Sequence, residues 1–198
     1  MTLPETLKAV RQWFGERGLP GRVQTIVGSP IDEAIAALGY MEVDGPALRQ
    51  SAPVLPALDI LSGTTDSHIA EVTKELPADY FTVYRRGLGI PEFQTILTTG
   101  DADIAFAVVR GDDGKPLSVG RVAIDPTTRH AGIAAVATAE HARRRGLARI
   151  VLRDLLAFSK ERGAESTYLE VEEQNAPARA LYESLGYLTA HRYHCRLL

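Results

Sequence analysis

The chain's clearest chemical signal is six consecutive residues, Arg143-Arg144-Arg145-Gly146-Leu147-Ala148. Three adjacent guanidinium groups supply positive charge. Gly146 has no Cβ and Ala148 a small side chain, so a ligand can approach the backbone closely there. An apolar run, 133–137, precedes the segment, and an amphipathic run, 148–158, follows it. The local order is strand, basic turn, helix, with Val136, Ala137 and Thr138 closing the strand. The first N–H groups of a helix lack intrahelical partners. Together with the helix dipole they favour an anion such as a pyrophosphate.

A second constellation lies downstream: Asn175-x-x-Ala178-x-x-Leu181-Tyr182-x-x-x-Gly186-Tyr187. Ala178, Leu181 and Leu185 fall at helical spacing and pack inward, with Tyr182 beside them. Asn175 is placed to cap that helix, and Pro177 lies in its first turn. A phenol held at such a position can act as a general acid.

The elements that position these residues follow from periodicity and punctuation. A helix is expected over 7–17 and a strand over 23–27. Ser29-Pro30 starts a helix over 31–38, Gly39 ends it, and a strand covers 40–43. Asp44-Gly45-Pro46 turns the chain, and the proline-bearing stretch after it reads as a strand end or linker. Leu58 to Leu61 reads as a strand. Asp66 caps a helix over 67–75, and further helices cover 80–86 and 91–98. Strands at 104–109 and 116–124 flank a hairpin turn at 111–114. Then come the strand at 133–137, the basic turn, a helix over 148–162, a strand at 167–171, a helix over 176–184 and a strand over 187–197. This α/β (α+β) order implies a mixed, mostly antiparallel sheet flanked by helices. The chain also repeats itself. Glu16-Arg17-Gly18 matches Glu161-Arg162-Gly163, and Leu38-Gly39-Tyr40 matches Leu185-Gly186-Tyr187, with 23 and 25 residues from the Glu to the second Gly.

With 198 residues, 45% hydrophobic and 24% charged, the composition is that of an ordinary globular domain. A net charge of −3 gives no footprint for bulk nucleic acid. The dense cationic cluster, Arg143 to Arg145 with Arg149, suits a small anion. No signal peptide or membrane span is expected. Cys195 is the only cysteine, which excludes an intrachain disulfide and a Cys-based metal site. A reducing, cytoplasmic setting is the expectation.

Taken together, Arg143-x-x-Gly146-x-Ala148, Leu169-Glu170-Val171 and the Asn175–Tyr187 pattern resemble the GCN5-related N-acetyltransferases (GNATs). The resemblance covers residues 58–198. It implies a GNAT fold and acetyl-CoA as co-substrate, without a metal. Arg143, Arg144, Arg145, Gly146, Leu147 and Ala148 then wrap the pyrophosphate. Val136, Ala137 and Thr138 lend backbone groups to pantetheine, and Asn175 and Ala178 complete the cofactor-binding set. The strand at 167–171 splays from its neighbour to make room for the acetyl group, and Tyr182 protonates the departing thiolate.

For the base, the strand at 133–137 offers no carboxylate. Glu170 lies 12 residues before Tyr182, as does the base in the ribosomal-protein N-terminal acetyltransferases this segment resembles. Glu172 shares its strand face and is the alternative. The tail from Tyr168 to His194 looks like that of actinobacterial acetyltransferases, some linked to N-acetylglutamate formation. The implied activity is acetyl transfer to a primary amine by direct attack in a ternary complex, on a small amino acid such as glutamate. A peptide or protein N-terminus, or a non-catalytic acyl-CoA-binding module, are the alternatives. The partners implied are acetyl-CoA and a small amine or peptide, with no nucleic acid and no membrane, in a monomer or homodimer.

Residues 1–50 repeat only the last half of such a fold, with Ile35 where the other copy has Tyr182. They are expected to be a degenerate half-GNAT segment, joined by a linker at 51–57 to a complete domain at 58–198. Among the remaining residues, Arg121 and Arg129 are candidate anchors for an acidic acceptor. Tyr193, His194 and Arg196 lie on the last strand, which often borders the acceptor pocket in the family. His191 and His194 could bind a carboxylate or relay a proton, a structural role being equally open. Cys195 reads as an inert thiol.

Overall fold

A computed structural model describes residues 2–63, 69–85 and 91–198. Its elements are, in order, α1 (Leu3–Gly15), β1 (Arg22–Ile26), α2 (Pro30–Ala37), β2 (Glu42–Pro53), α3 (Val54–Ser62), β3 (Glu71–Thr73), α4 (Pro91–Thr98), β4 (Asp103–Arg110), β5 (Pro116–Asp125), β6 (His130–Thr138), α5 (Leu147–Glu161), β7 (Ser166–Glu172), α6 (Ala176–Glu183) and β8 (Leu188–Leu197). The eight strands form a mixed sheet in the order β1-β8-β2-β7-β6-β5-β4-β3. The chain forms two compact units: Met1–Gln50 with Glu170–Arg179 and Thr189–Leu198, and Ser51–Leu169 with Ala180–Leu188. Among the described residues, no helix is long and apolar enough to cross a membrane.

In the second unit β3, β4, β5 and β6 pair antiparallel in sequence, while β6 and β7 run parallel. Ala105 to Val109 are all buried, so β4 carries a continuous apolar run rather than an alternating one. Helix α5 packs on α3, β4 and β5 and buries Leu147, Ile150, Val151, Leu152, Leu155 and Leu156. A separate cluster gathers Tyr80, Val83, Leu97, Phe106, Val108 and Val119.

In the first unit α1 opens on a capping box, in which the Thr2 N–H donates to Glu5 Oε2 at 2.7 Å. Ser29 Oγ caps α2 through the Asp32 N–H at 3.3 Å, with Pro30 in the first turn. Strands β1 and β8 pair antiparallel, Thr25 opposite His194 and Ile26 opposite Tyr193.

Three expectations need correction. Leu58 to Leu61 lie in α3, not in a strand, and Val54, Ala57, Leu58 and Leu61 are its buried face at helical spacing. Asp44-Gly45-Pro46 does not reverse the chain: Asp44 and Gly45 adopt left-handed φ of 69° and 59°, and β2 runs on to Pro53. Residues 51–57 are thus the end of β2 and the start of α3. Residues 71–73 form β3 rather than the end of a helix. The expected cap at Asp66 lies outside the described residues, as does Arg86 at the end of another expected helix; Tyr80–Thr82 is a 3-10 turn.

Candidate active site

Strand β6 carries an irregularity at its centre. Its pairing with β5 shifts between Val119 and Arg121, so Gly120 opposes an extra residue. Ala135 takes a left-handed φ of 52° there. Tyr80, fully buried, donates its hydroxyl to the Ala135 carbonyl at 3.1 Å and pins the bulge. On the opposing strand a Cβ at Gly120 would sit 2.5 Å from Val151 Cγ1 and 3.1 Å from Leu155 Cδ1, so only glycine lets α5 press against this point. Gly120→Ala is therefore expected to destabilise the protein by about 1–3 kcal/mol, read as a lower thermal midpoint.

The register of β6 with β7 runs from His130↔Ser166 to Ile133↔Leu169, whereas its register with β5 continues to Thr138. The β7-side edge of residues 134–138 lies outside the pairing with β7. Ser118 Oγ donates to the Ala137 carbonyl at 3.0 Å and lies 2.9 Å from Thr138 Oγ1, which fixes the end of the strand.

A 3-10 turn, Glu140–Ala142, leads into the arginines. Arg144 takes a left-handed φ of 63°, a conformation costly for a residue with a Cβ. Gly146, at φ 78°, is the N-cap of α5. No side chain caps this helix, and its first turn carries no acidic residue. Nothing acidic on α5 itself competes for those N–H groups, and Arg143, Arg144 and Arg145 are all exposed. These features fit a bound diphosphate. Arg149 is engaged elsewhere, donating to Ser184 Oγ at 2.9 Å.

Tyr182 on α6 is 7% exposed, with its ring centroid 5.8 Å from that of Tyr187. Burial pushes its phenol up to about 12, so it holds its proton at neutral pH. Tyr187 Oη lies 3.1 Å from Thr167 Oγ1, which anchors the end of α6 to β7. At the start of α6, Asn175 Oδ1 accepts from the Ala178 N–H at 3.2 Å, the capping contact its position implies.

In the first unit Glu170 is engaged at both oxygens. Arg49 Nη2 donates to Oε1 at 2.5 Å and Tyr193 Oη donates to Oε2 at 2.7 Å. A second cluster is buried. Asp32 accepts from Arg196 Nε at 2.6 Å, His194 Nε2 at 2.6 Å, Thr25 Oγ1 at 2.9 Å and the Gly28 N–H at 3.0 Å. His194 Nδ1 lies 3.0 Å from Glu42 Oε2. The Arg196 guanidinium foremost, then His194, Gly28 and Thr25, hold the Asp32 carboxyl well below the usual carboxylate range, against burial, which pushes it up.

The family model described as "Probable histone acetyltransferase Rv0428c C-terminal" matches residues 2–196. The chain belongs to this family. It is an acetyltransferase of the GNAT superfamily. Among curated relatives, the Escherichia coli K12 [ribosomal protein bS18]-alanine N-acetyltransferase is 29% identical over 117 residues, 58% of this chain and 76% of that protein. The streptothricin acetyltransferase of Streptomyces lavendulae is 32% identical over 87 residues, 44% of this chain and 46% of that protein. Among solved structures, a tandem GNAT protein from the clavulanic acid biosynthesis pathway aligns with a TM-score of 0.72 at 15% identity, covering 95% of this chain and 66% of that one. A GCN5-related N-acetyltransferase from Kribbella flavida aligns at 0.68 and 16% identity, covering 98% and 74%. These two establish the fold alone.

Several residues of this GNAT acetyltransferase singled out in the sequence have structural partners. Arg121 Nε donates to the Leu97 carbonyl at 2.7 Å. Arg129 Nε donates to the Gly163 carbonyl at 3.0 Å, and its Nη1 lies 2.7 Å from Glu165. His194 and Arg196 belong to the Asp32 cluster, while the His191 ring lies 6.4 Å from that of Tyr193. Cys195 is half-buried, and burial pushes its thiol up. The sequence reading missed Arg49, which sits in a stretch read as strand end or linker, and Tyr80, read as an ordinary helix residue. No local signal marks either one.

Proposed function

We propose that this acetyltransferase moves an acetyl group from acetyl-CoA to a primary amine by direct attack with both substrates bound, the acceptor being a small amino acid such as glutamate. The observation that carries this reading is the uncapped first turn of α5, entered through left-handed Arg144 and Gly146. In it, Arg143, Arg144, Arg145, Gly146, Leu147 and Ala148 hold the diphosphate. Val136, Ala137 and Thr138 present backbone groups to the pantetheine arm and the carbonyl oxygen. Asn175 and Ala178 shape the start of α6. Acetyl-CoA, when bound, supplies a thioester carbonyl as acyl donor.

Glu170, directly or through water, takes one proton from the acceptor ammonium and passes it to solvent, freeing the nitrogen lone pair. As the N–C bond forms and the C–S bond breaks, Tyr182 gives its hydroxyl proton to the sulfur. The phenolate regains a proton from the same nitrogen, so that one proton is released per turnover. Positioning two substrates accounts for much of such catalysis.

A thiol-release assay with acetyl-CoA over amines, free amino acids and peptides tests this reading. Turnover of a free amino acid supports it. Turnover of peptides alone favours a protein N-terminus, the acceptor class named for the ribosomal-protein relative. Saturable coenzyme binding without turnover identifies a binding module.

The triple variant Arg143→Ala/Arg144→Gly/Arg145→Ala keeps the left-handed backbone and removes the charge. Each exposed cation contributes up to about 1 kcal/mol, so acetyl-CoA is expected to bind roughly ten- to a hundredfold more weakly. Isothermal titration at two salt concentrations also checks that the variant's affinity responds less to salt.

The reading includes a cytoplasmic setting and takes residues 1–50 as a degenerate half-domain without catalysis of its own. The order α1-β1-α2-β2 parallels α5-β7-α6-β8. Helices α2 and α6 are capped by Ser29 and Asn175 and closed by left-handed Gly39 and Gly186.

A further inference from the structure

The ion pair at Glu170 occupies the very carboxylate to which acetyl transfer assigns the acceptor's proton. Arg49 Nη2 and Tyr193 Oη already donate to its two oxygens at 2.5 and 2.7 Å. An acceptor ammonium can reach Glu170 as a donor only by displacing one of them or by sharing an oxygen. Of the two donors, Arg49 is the one whose charge an incoming ammonium reproduces. Tyr193 is a neutral hydroxyl donor, its phenol pushed up by burial and by Glu170. Arg49 and Glu170 are 38% and 40% exposed, and a pair so exposed contributes only about 0–1 kcal/mol to stability. The ion pair itself is therefore parted at little cost.

The surrounding strands leave this face accessible. Along the β1–β8 pair the residues alternate, with Thr25 and His194 buried on one side, and with Gln24, Ile26, Tyr193 and Cys195 at least partly exposed on the other. The exposed side therefore carries the Tyr193–Glu170–Arg49 cluster, which offers one anion and one cation next to each other.

We infer that Arg49 and Glu170 together recognise a zwitterionic α-amino acid, whose ammonium replaces Arg49 on Glu170 and whose carboxylate replaces Glu170 on Arg49. The ion pair is the placeholder for the ligand's own pair of charges. An α-amino acid carries both charges on one carbon, so a single ligand satisfies both side chains as they separate. A peptide amino terminus or a simple amine brings the ammonium but no carboxylate to exchange, and loses the Arg49–Glu170 contact without replacement. Arg49 is thus the specificity-determining residue for the α-carboxylate. This rests on the reading that Glu170 receives the acceptor's proton.

The test compares kcat/KM for free L-amino acids with that for their C-terminal amides, by thiol release at saturating acetyl-CoA, in the wild type, Arg49→Met and Arg49→Lys. Removing Arg49 also alters the surroundings of Glu170, so the acid-to-amide ratio is the readout rather than either rate. The wild type is expected to favour the best free acid over its amide by about fivefold, the discrimination an exposed cation can give a carboxylate. Arg49→Met is expected to bring that ratio to about one, with Arg49→Lys between the two. Thermal melting and acetyl-CoA titration of each variant verify that fold and donor site are intact. A wild-type ratio near one, no turnover of any free amino acid, or a ratio that Arg49→Met leaves in place overturns the inference while the transferase reading stands. Failure of the wild type to bind acetyl-CoA overturns the transferase reading itself.

Discussion

Tyr182→Phe is expected to lower kcat roughly ten- to a thousandfold, the contribution of one positioned general acid, while the dissociation constant of acetyl-CoA moves by no more than about threefold. The substitution removes one oxygen from a ring packed near Tyr187, so the hydrophobic contacts of α6 survive. The hydroxyl is suited to its role because burial pushes it up to about 12. It therefore carries its proton throughout the neutral range, available to the sulfur as the C–S bond breaks. Stopped-time thiol release at saturating substrates gives kcat, and calorimetry gives the coenzyme affinity. An unchanged kcat assigns the proton to another group.

The second large effect is on stability. Asp32→Asn is expected to cost about 3 kcal/mol at pH 7, because it leaves the Arg196 guanidinium, only 11% exposed, beside a neutral amide. In a chain of this size that corresponds to a fall of roughly 6–12 °C in thermal midpoint. The pH dependence follows from the direction of the Asp32 shift. Its folded carboxyl is depressed below the unfolded value of about 3.9. The stabilisation it contributes is complete above that unfolded value and is lost as pH falls towards the depressed folded one. Wild-type melting should accordingly fall as pH drops below about 4, and the gap between wild type and Asp32→Asn should narrow over the same window. Asp79, Asp103 and Glu173 are also held low by arginine or lysine partners. The difference between the two proteins, rather than either curve, isolates Asp32. Scanning calorimetry from pH 7 to pH 3 checks both parts. A gap that stays constant removes Asp32 as the source.

What the sequence made legible was local. The basic turn, the Asn175 cap, the Ser29 cap and the glycines closing α2 and α6 each lie within a few residues of what they touch, and their chemistry reads directly. The misreadings have the same origin. Asp44-Gly45-Pro46 has the composition of a reversal, yet left-handed residues of the same types also kink a continuing strand. A run as short as Leu58 to Leu61 does not separate strand from buried helix. Its continuation back to Val54, at helical spacing, carried the distinction. Contacts that join distant segments left no trace. Asp32 on α2 meets His194 and Arg196 on β8, and Arg49 meets Glu170 from a stretch with no motif of its own. The β6 bulge was equally hidden, because Gly120, Ala135 and Tyr80 become meaningful only once three elements are brought together.

A crystal grown with acetyl-CoA tests most directly whether the turn at 143–148 is the diphosphate site. The diphosphate is expected against the backbone N–H groups of residues 144–148. The thioester is expected beside Val136 to Thr138, with the Tyr182 hydroxyl within roughly 3 Å of the sulfur. Density for the coenzyme with its diphosphate at any other place on the chain contradicts that assignment.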